Sequence, residues 1–542
     1  MFQRFHRHSI VIARTSKAVH YGHSHHGLST PIFMKALSTH SQSGGYKNPR
    51  SEKFSMTKIV GTIGPVSESP DMTQKLVDEG LRIMRINFSH AEHSEALQRI
   101  HNLRACRGVH SESQNTFNLR AVLLDTKGPE IRTGKMKNGK KVLLETGKEI
   151  ILTNNKEFQD QGTAERIYIT YPHLVNTVKS GDTVLLSDGL IRLNAIHVDK
   201  AKNEIRCVIK NTEELGNTKG VNLPGLKVDL PALSEKDKVD LMFGVQHDVD
   251  FIAASFIRKP SDVIEIREFV QSQMSKHWPA DHPAPKIISK IENLEGIQNF
   301  DQILEVSNGI MVARGDLGVE VPLQKVLTYQ KSMVEKCNAI GKPVIVATQM
   351  LESMIQNPRP TRAEVSDVGN AVLDGADAVM LSGECANGKY PVESVRTMMT
   401  VIKEADELLE THYHEYEWTP AENDVESVAS SVVKTAHEMK AKLMIVLTDT
   451  GRTAQMIAKY RPTVPVMCFT PSCKIGRQLQ IHRGLYPVVP ANQASRPTAA
   501  EAIKEAKRMG WLVSKDRVVL LSSDSLSDDL GRQVVMRVAE VA

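Results

Sequence analysis

The sequence predicts an α/β protein: a (β/α)₈ TIM barrel carrying an inserted β-barrel lid domain and followed by a C-terminal open α/β domain. Three observations support this. Eight short apolar runs each stop at charge or glycine, and helical patterns separate most of them. Residues 132 to about 231, between the third and fourth runs, change to period-two alternation. After about residue 405 the strand-and-helix alternation starts afresh.

Residues 1–50 form the first segment. They hold Arg4, Arg7, Arg14, Lys17, Lys35, Lys47 and Arg50, seven histidines, many serines and no Asp or Glu. An arginine- and serine-rich, acid-free leader has the composition of an organelle transit peptide. The expected location is the mitochondrial matrix, with the cytoplasm or a plastid as alternatives, and a plain basic tail is the simpler reading. The leader also explains the net charge of +5 over 542 residues: without its seven cations, 61 basic residues face 63 acidic ones. No nucleic-acid footprint is therefore expected. No apolar run approaches the roughly 20 residues of a membrane span, so no membrane partner is expected either. The six cysteines are scattered without a CxxC pair, which fits reduced thiols better than a disulfide framework or a zinc site.

The barrel is expected over 51–131 and 232–405. Its strands read as Lys58 to Ile63, Arg82 to Ile86, Ala121 to Leu124, Val249 to Ala254, Lys286 to Ser289, Gly309 to Val312, Pro343 to Ala347 and Ala378 to Leu381. Such continuous apolar runs suit parallel strands buried on both faces. Thr361 and Glu364 have capping-box spacing before the last strand. The insert, 132–231, alternates as half-buried strands do: in EIRCVIK, Ile205, Cys207 and Ile209 share a face. Taking it out leaves roughly 250 residues, the usual size of such a barrel. In the last unit, 406–542, helix VESVASSVVKTAHEMK leads to strand LMIVLT, helix TAQMIAKY and strands at Val464 to Phe469 and Arg517 to Leu521. Its first strand ends at Thr448, Thr450, Gly451, Arg452 and Thr453, which open a helix. That is an anion site or an ordinary helix cap.

Catalytic groups of such barrels stand at the C-terminal ends of the strands. Strand two delivers Arg85, Asn87, Ser89 and His90, and strand three Asp125, Thr126, Lys127, Glu130 and Arg132. Strand four offers Ser255, strand five Lys290 and Glu292, and strand six Arg314 and Asp316. Thr348 and Gln349 follow strand seven; Ser382 and Glu384 follow strand eight. Glu292 and Asp316, flanked by Lys290 and Arg314, suit a hard divalent cation that keeps most of its shell for substrate oxygens. A buried ion-pair cluster is the bland alternative. Asn87, Ser89, Asp125 and Thr126 offer low-charge oxygen donors for a monovalent cation, although such residues after a strand are also ordinary turn caps. Several cations, two carboxylates and a lid describe a phosphoryl-transfer site, where catalysis is mostly positioning and charge neutralisation.

The motifs RINFSH, LDTKGPEIRTG, IISKIENLEGI, VARGDLGVE, ATQMLESM, RPTRAEVSD and MLSGE, in that order around an inserted lid, resemble the blocks of the pyruvate kinase family over about residues 57 to 540. The resemblance implies phosphoryl transfer from phosphoenolpyruvate to ADP, giving pyruvate and ATP. It also implies Mg²⁺ or Mn²⁺ on Glu292 and Asp316, and K⁺ on Asn87, Ser89, Asp125 and Thr126. Lys290 would stabilise the phosphoryl group and enolate, with Arg85 gripping the phosphate. Asn87, His90, Arg132 and lid residue Lys219 would face the nucleotide. Backbone near Gly315 and Asp316, with Thr348, would hold the substrate carboxylate. Thr348 would order a proton-delivering water, with Ser382 and Glu384 as relays. Glu130 resembles K⁺-requiring members, where K⁺-independent ones carry lysine. A homotetramer regulated by a phosphorylated effector at Thr448–Thr453 is also implied. Asp449, Asp524, Asp528 and Asp529 make fructose 1,6-bisphosphate a poor fit for that effector.

Overall fold

The computed structural model describes residues 55–106, 118–411, 421, 423–490, 497–525 and 532–542. The leader, Asp528, Asp529 and the side chain of Asp524 lie outside the described residues, and with them the transit-peptide reading and part of the effector argument.

Eight parallel strands close a barrel in sequence order: Lys58–Thr62, Leu81–Asn87, Ala121–Asp125, Phe251–Ala254, Lys286–Ile291, Gly309–Ala313, Val344–Ala347 and Ala378–Leu381, the last pairing with the first. Alternate side chains fill the interior, among them Val60, Ile83, Leu123, Phe251, Ile288, Met311, Ile345 and Met380. Those between them, such as Ile59, Leu124, Ile252 and Val312, pack outward with the surrounding helices. Burial on both faces is why the runs read as continuously apolar. The Thr361 capping box forms on helix Arg362–Leu373, with Glu364 returning to the Thr361 backbone. Strand five runs on to Ile291, so Lys290 lies within the strand rather than after it.

Between Asp125 and helix Glu235–Gln246 the chain builds a six-stranded sheet of short strands on a core of its own. Ile205, Cys207 and Ile209 are buried on one face of strand Glu204–Ile209, as their spacing requires. The last unit is a five-stranded sheet in the order Leu485–Val488, Val466–Phe469, Leu443–Leu447, Arg517–Ser525 and Arg532–Glu540. The sequence reading misses its two edge strands. Pro487 interrupts the first, which is tolerated only at an edge. The second runs antiparallel and leaves Met536 and Val538 exposed, so it does not read as buried. Ile481, from the loop before Leu485–Val488, belongs to the cluster that fills the barrel interior, so the C-terminal unit closes the barrel floor. No helix among the described residues is long and apolar enough to cross a membrane.

Candidate active site

At the C-terminal mouth of the barrel the charges gather around Asp125, which is fully buried. Its register partner on strand two is Asn87. Oδ2 accepts from Arg85 Nε at 2.6 Å, and Oδ1 accepts from Lys290 Nζ at 3.0 Å and from the Ser255 hydroxyl at 3.2 Å. Burial would raise the Asp125 carboxyl, but Arg85 and Lys290 outweigh it and hold the group below its usual range. The second Arg85 contact runs from Nη1 to Thr62 Oγ1 at 2.8 Å.

Lys290 is the hub. Besides Asp125 it donates to Ser255 Oγ at 2.8 Å and pairs with Glu292 Oε1 at 3.0 Å. Burial works against its ammonium, yet Asp125 and Glu292 prevail and hold it above its ordinary value, fixed as a cation. Glu292 accepts the Phe256 N–H at 2.5 Å. Phe256 sits at φ 55°, a left-handed conformation that nothing in the sequence signals. Glu292 and Asp316 share a hydrogen bond, and both carboxyls are pushed up, first by burial, while Lys290 opposes the rise. A fully buried carboxyl beside one that stays open to the mouth, each penalised for carrying charge, forms a donor set that a hard divalent cation would satisfy, so the residues fit Mg²⁺ or Mn²⁺. Asn87, Ser89, Asp125 and Thr126 stand on adjoining strand ends with one formal charge among four oxygens, which fits K⁺. Asn87 Oδ1 currently accepts the Ser89 N–H at 3.1 Å, and Thr126 Oγ1 the Ser255 N–H at 3.1 Å.

Arg314 is not the flanking cation that the sequence suggested. It pairs with Asp367 through Nη1 at 2.8 Å and Nη2 at 2.7 Å, and donates to the Thr348 carbonyl at 2.7 Å. Thr348 and Gln349 have φ of 75° and 56°, costly for a β-branched residue, and this clamp holds the turn in place. Gly315 packs against it: a Cβ there would lie 2.9 Å from Thr348 Cγ2. Glu384 is fully buried, with Oε1 accepting the Leu351 N–H at 3.1 Å and Oε2 the Ser382 N–H at 2.7 Å. Both oxygens are engaged in tying the loops after strands seven and eight together, so Glu384 stands as a positioning group rather than a relay.

The remaining residues line the approach to the site. Arg132 is held by Glu130 through Nε at 2.7 Å and donates to the Thr218 carbonyl at 2.8 Å. Lys219 is exposed on the facing segment of the insert, joined to Thr133 through the backbone, and His90 is exposed on the strand-two loop. A cleft opens between insert and barrel, bordered by Glu130, Arg132, Asp188, Asn222, Phe256 and Asp316. In the C-terminal unit, Thr448 Oγ1 accepts the Gly451 N–H at 3.0 Å, and Gly451 supplies the left-handed turn (φ 82°) into helix Arg452–Lys459. Sequence reading missed Phe256 and Asp367: the first acts through its backbone, and the second only as Arg314's partner.

The sequence models of two domain families match the chain: "Pyruvate kinase, barrel domain" over residues 54–395 and "Pyruvate kinase, alpha/beta domain" over 426–537. Curated proteins named pyruvate kinase from Staphylococcus aureus and Staphylococcus haemolyticus are each 45% identical over 471 residues, 86% of this chain and 77% of the relative. A pyruvate kinase from Staphylococcus epidermidis matches to the same extent. With the barrel, the charged mouth and both domain families in agreement, the chain belongs to the pyruvate kinase family.

Proposed function

We infer that the chain transfers the phosphoryl group of phosphoenolpyruvate to ADP, giving pyruvate and ATP. The observation that supports this most directly is Lys290, a buried cation locked between Asp125 and Glu292 and opening toward Asp316. A fixed positive charge costs no reorganisation when negative charge moves from phosphate to enolate oxygen. A divalent cation on Glu292 and Asp316 would neutralise charge on the substrate and its enolate. Arg85, oriented by Asp125 and Thr62, grips the phosphoryl group. Arg132, His90 and Lys219 meet the ADP phosphates from the lid side, and Asn87 faces them from strand two. The N–H groups near Gly315 and Asp316, with the Thr348 hydroxyl, hold the substrate carboxylate. Thr348 positions the water that protonates the methylene carbon, because a threonine hydroxyl is itself too weak an acid. Ser382 borders that path and Glu384 fixes its backbone.

K⁺ at Asn87, Ser89, Asp125 and Thr126 completes the phosphate-side charge, and Glu130 marks the K⁺-requiring type. The enzyme works as a homotetramer, takes a phosphorylated effector other than fructose 1,6-bisphosphate at Thr448–Thr453, and resides in the mitochondrial matrix through its basic leader. The first test is pyruvate formation from phosphoenolpyruvate and ADP with Mg²⁺, comparing K⁺ with Na⁺. Activity in K⁺ and little in Na⁺ is expected, and no activity in either, Mn²⁺ included, overturns the reading. A fall in the apparent substrate constant on adding fructose 1,6-bisphosphate contradicts the effector assignment.

A further inference from the structure

The opposite end of the barrel carries charge that the reaction does not use. Lys58 begins strand one, Arg82 lies at the start of strand two and Arg120 directly precedes strand three. Ile83 pairs with Ala121, which sets Arg82 beside Arg120, and neighbouring strands lie about 4.8 Å apart. Tyr486 of the C-terminal unit covers them. Lys58 Nζ is 3.7 Å from its ring centroid and the Arg82 guanidinium carbon 6.0 Å.

These cations are poorly compensated. Lys58 is 1% exposed and its ammonium has no hydrogen-bond acceptor, and Arg120 is 8% exposed with an unpartnered Nε. No hydrogen bond or ion pair holds Arg82 among the described residues, and it is partly open to solvent. Among the described residues, the acids nearby are Asp406 and Asp78. Asp406 already pairs with Arg483 at 3.0 Å and accepts the Met56 N–H at 2.9 Å, and Asp78 accepts from Gln74 at 3.0 Å. Among the described residues, four cations (Lys58, Arg82, Arg120 and Arg483) against two carboxylates leave an excess of two positive charges. Burial pushes Lys58 well below its ordinary value and Arg120 down to about 9, with Arg82 adding to the effect at both. A buried cation that must either lose its proton or stay unpaired is costly, and a bound anion of charge two removes the cost.

We propose that this floor, at the starts of strands one to three and beside Tyr486, is a binding site for a small tetrahedral dianion of the phosphate class, held by Lys58, Arg82 and Arg120. Arg82 forms its solvent-facing side. An anion there ties the three strands to the C-terminal unit that plugs the barrel, at a site separate from both the mouth and the Thr448–Thr453 loop.

The test is thermal melting of the full chain in inorganic phosphate and, separately, glycerol phosphate, each against chloride at matched ionic strength. Phosphate at about 100 times its Kd is expected to raise the wild-type melting temperature by about 3 °C. Lys58→Met and Arg82→Gln should each remove most of that rise, and Lys58→Met should melt higher than wild type in chloride, because it deletes an unpaired buried charge. Arg452→Ala, in the C-terminal loop, should keep the rise. A response to inorganic phosphate alone assigns the free ion, and a response to both assigns a site that also admits phosphate monoesters. The proposal fails if phosphate does no more than chloride, or if Lys58→Met and Arg82→Gln respond as wild type does. Should Lys58→Met not fold, Arg82→Gln and Arg120→Gln decide the matter.

Discussion

The two ends of the barrel bury charge in opposite ways. At the mouth, Lys290 meets Asp125 and Glu292, and Arg85 meets Asp125, so each cation has a carboxylate at hydrogen-bond distance. At the floor, Lys58 has only a ring face, and His482 is buried among Arg461, Lys286 and Lys58 with Asp377 as its opposing acid. The mouth is charge-matched and pre-set for a substrate that brings charge with it. The floor is cation-rich, and its cost falls on stability. Position explains the division of labour: loops that can vary cluster at the C-terminal ends of the strands, while the floor is packed against another folded unit.

The comparison can be broken most severely at Lys290. Lys290→Met should lower kcat by about a thousandfold and, by stranding Glu292, cost roughly 3–5 kcal/mol of stability; steady-state kinetics and denaturant melts check the two separately. At the floor the effect should appear in stability and leave the reaction alone. The His482 imidazole is depressed to about 4, first by burial, so between that value and its ordinary 6.5 the unfolded chain takes up a proton the folded one refuses. Stability should therefore be constant above about pH 6.5 and fall by about 3 kcal/mol as pH drops toward 4. His482→Gln should flatten that slope in urea melts taken at pH 7 and pH 5.

Smaller changes sharpen the contrast. Arg314→Lys loses the two-pronged grip on Asp367 and the hold on the Thr348 carbonyl, so kcat should fall about tenfold with a modest change in KM. An unchanged kcat would mean that the Thr348 turn holds itself. Glu130→Lys should bring the rate in Na⁺ close to that in K⁺. It should also raise the KM for ADP several-fold, because Arg132 loses the carboxylate that orients it.

Legibility follows the physics of each feature. Barrel strands were readable because burial on both faces forces unbroken apolar runs, and the insert because one buried face forces alternation, as at Ile205, Cys207 and Ile209. Most of the mouth was readable because catalytic side chains must follow the strands. The motifs around Arg85, Asp125, Lys290, Glu292, Asp316 and Thr348 also resemble one family closely enough to name it. What the sequence alone determined, then, was architecture, family and which residues reach the mouth. Which way each of those side chains turns was decided only in three dimensions. Arg314 is spent on Asp367, Glu384 on two backbone N–H groups, and Phe256 offers its own N–H to Glu292. The gathering of Lys58, Arg82 and Arg120 beneath Tyr486 was likewise a tertiary outcome. Sequence records which groups are present along the chain; partners far apart in sequence, and the lack of one, exist only once the barrel has closed.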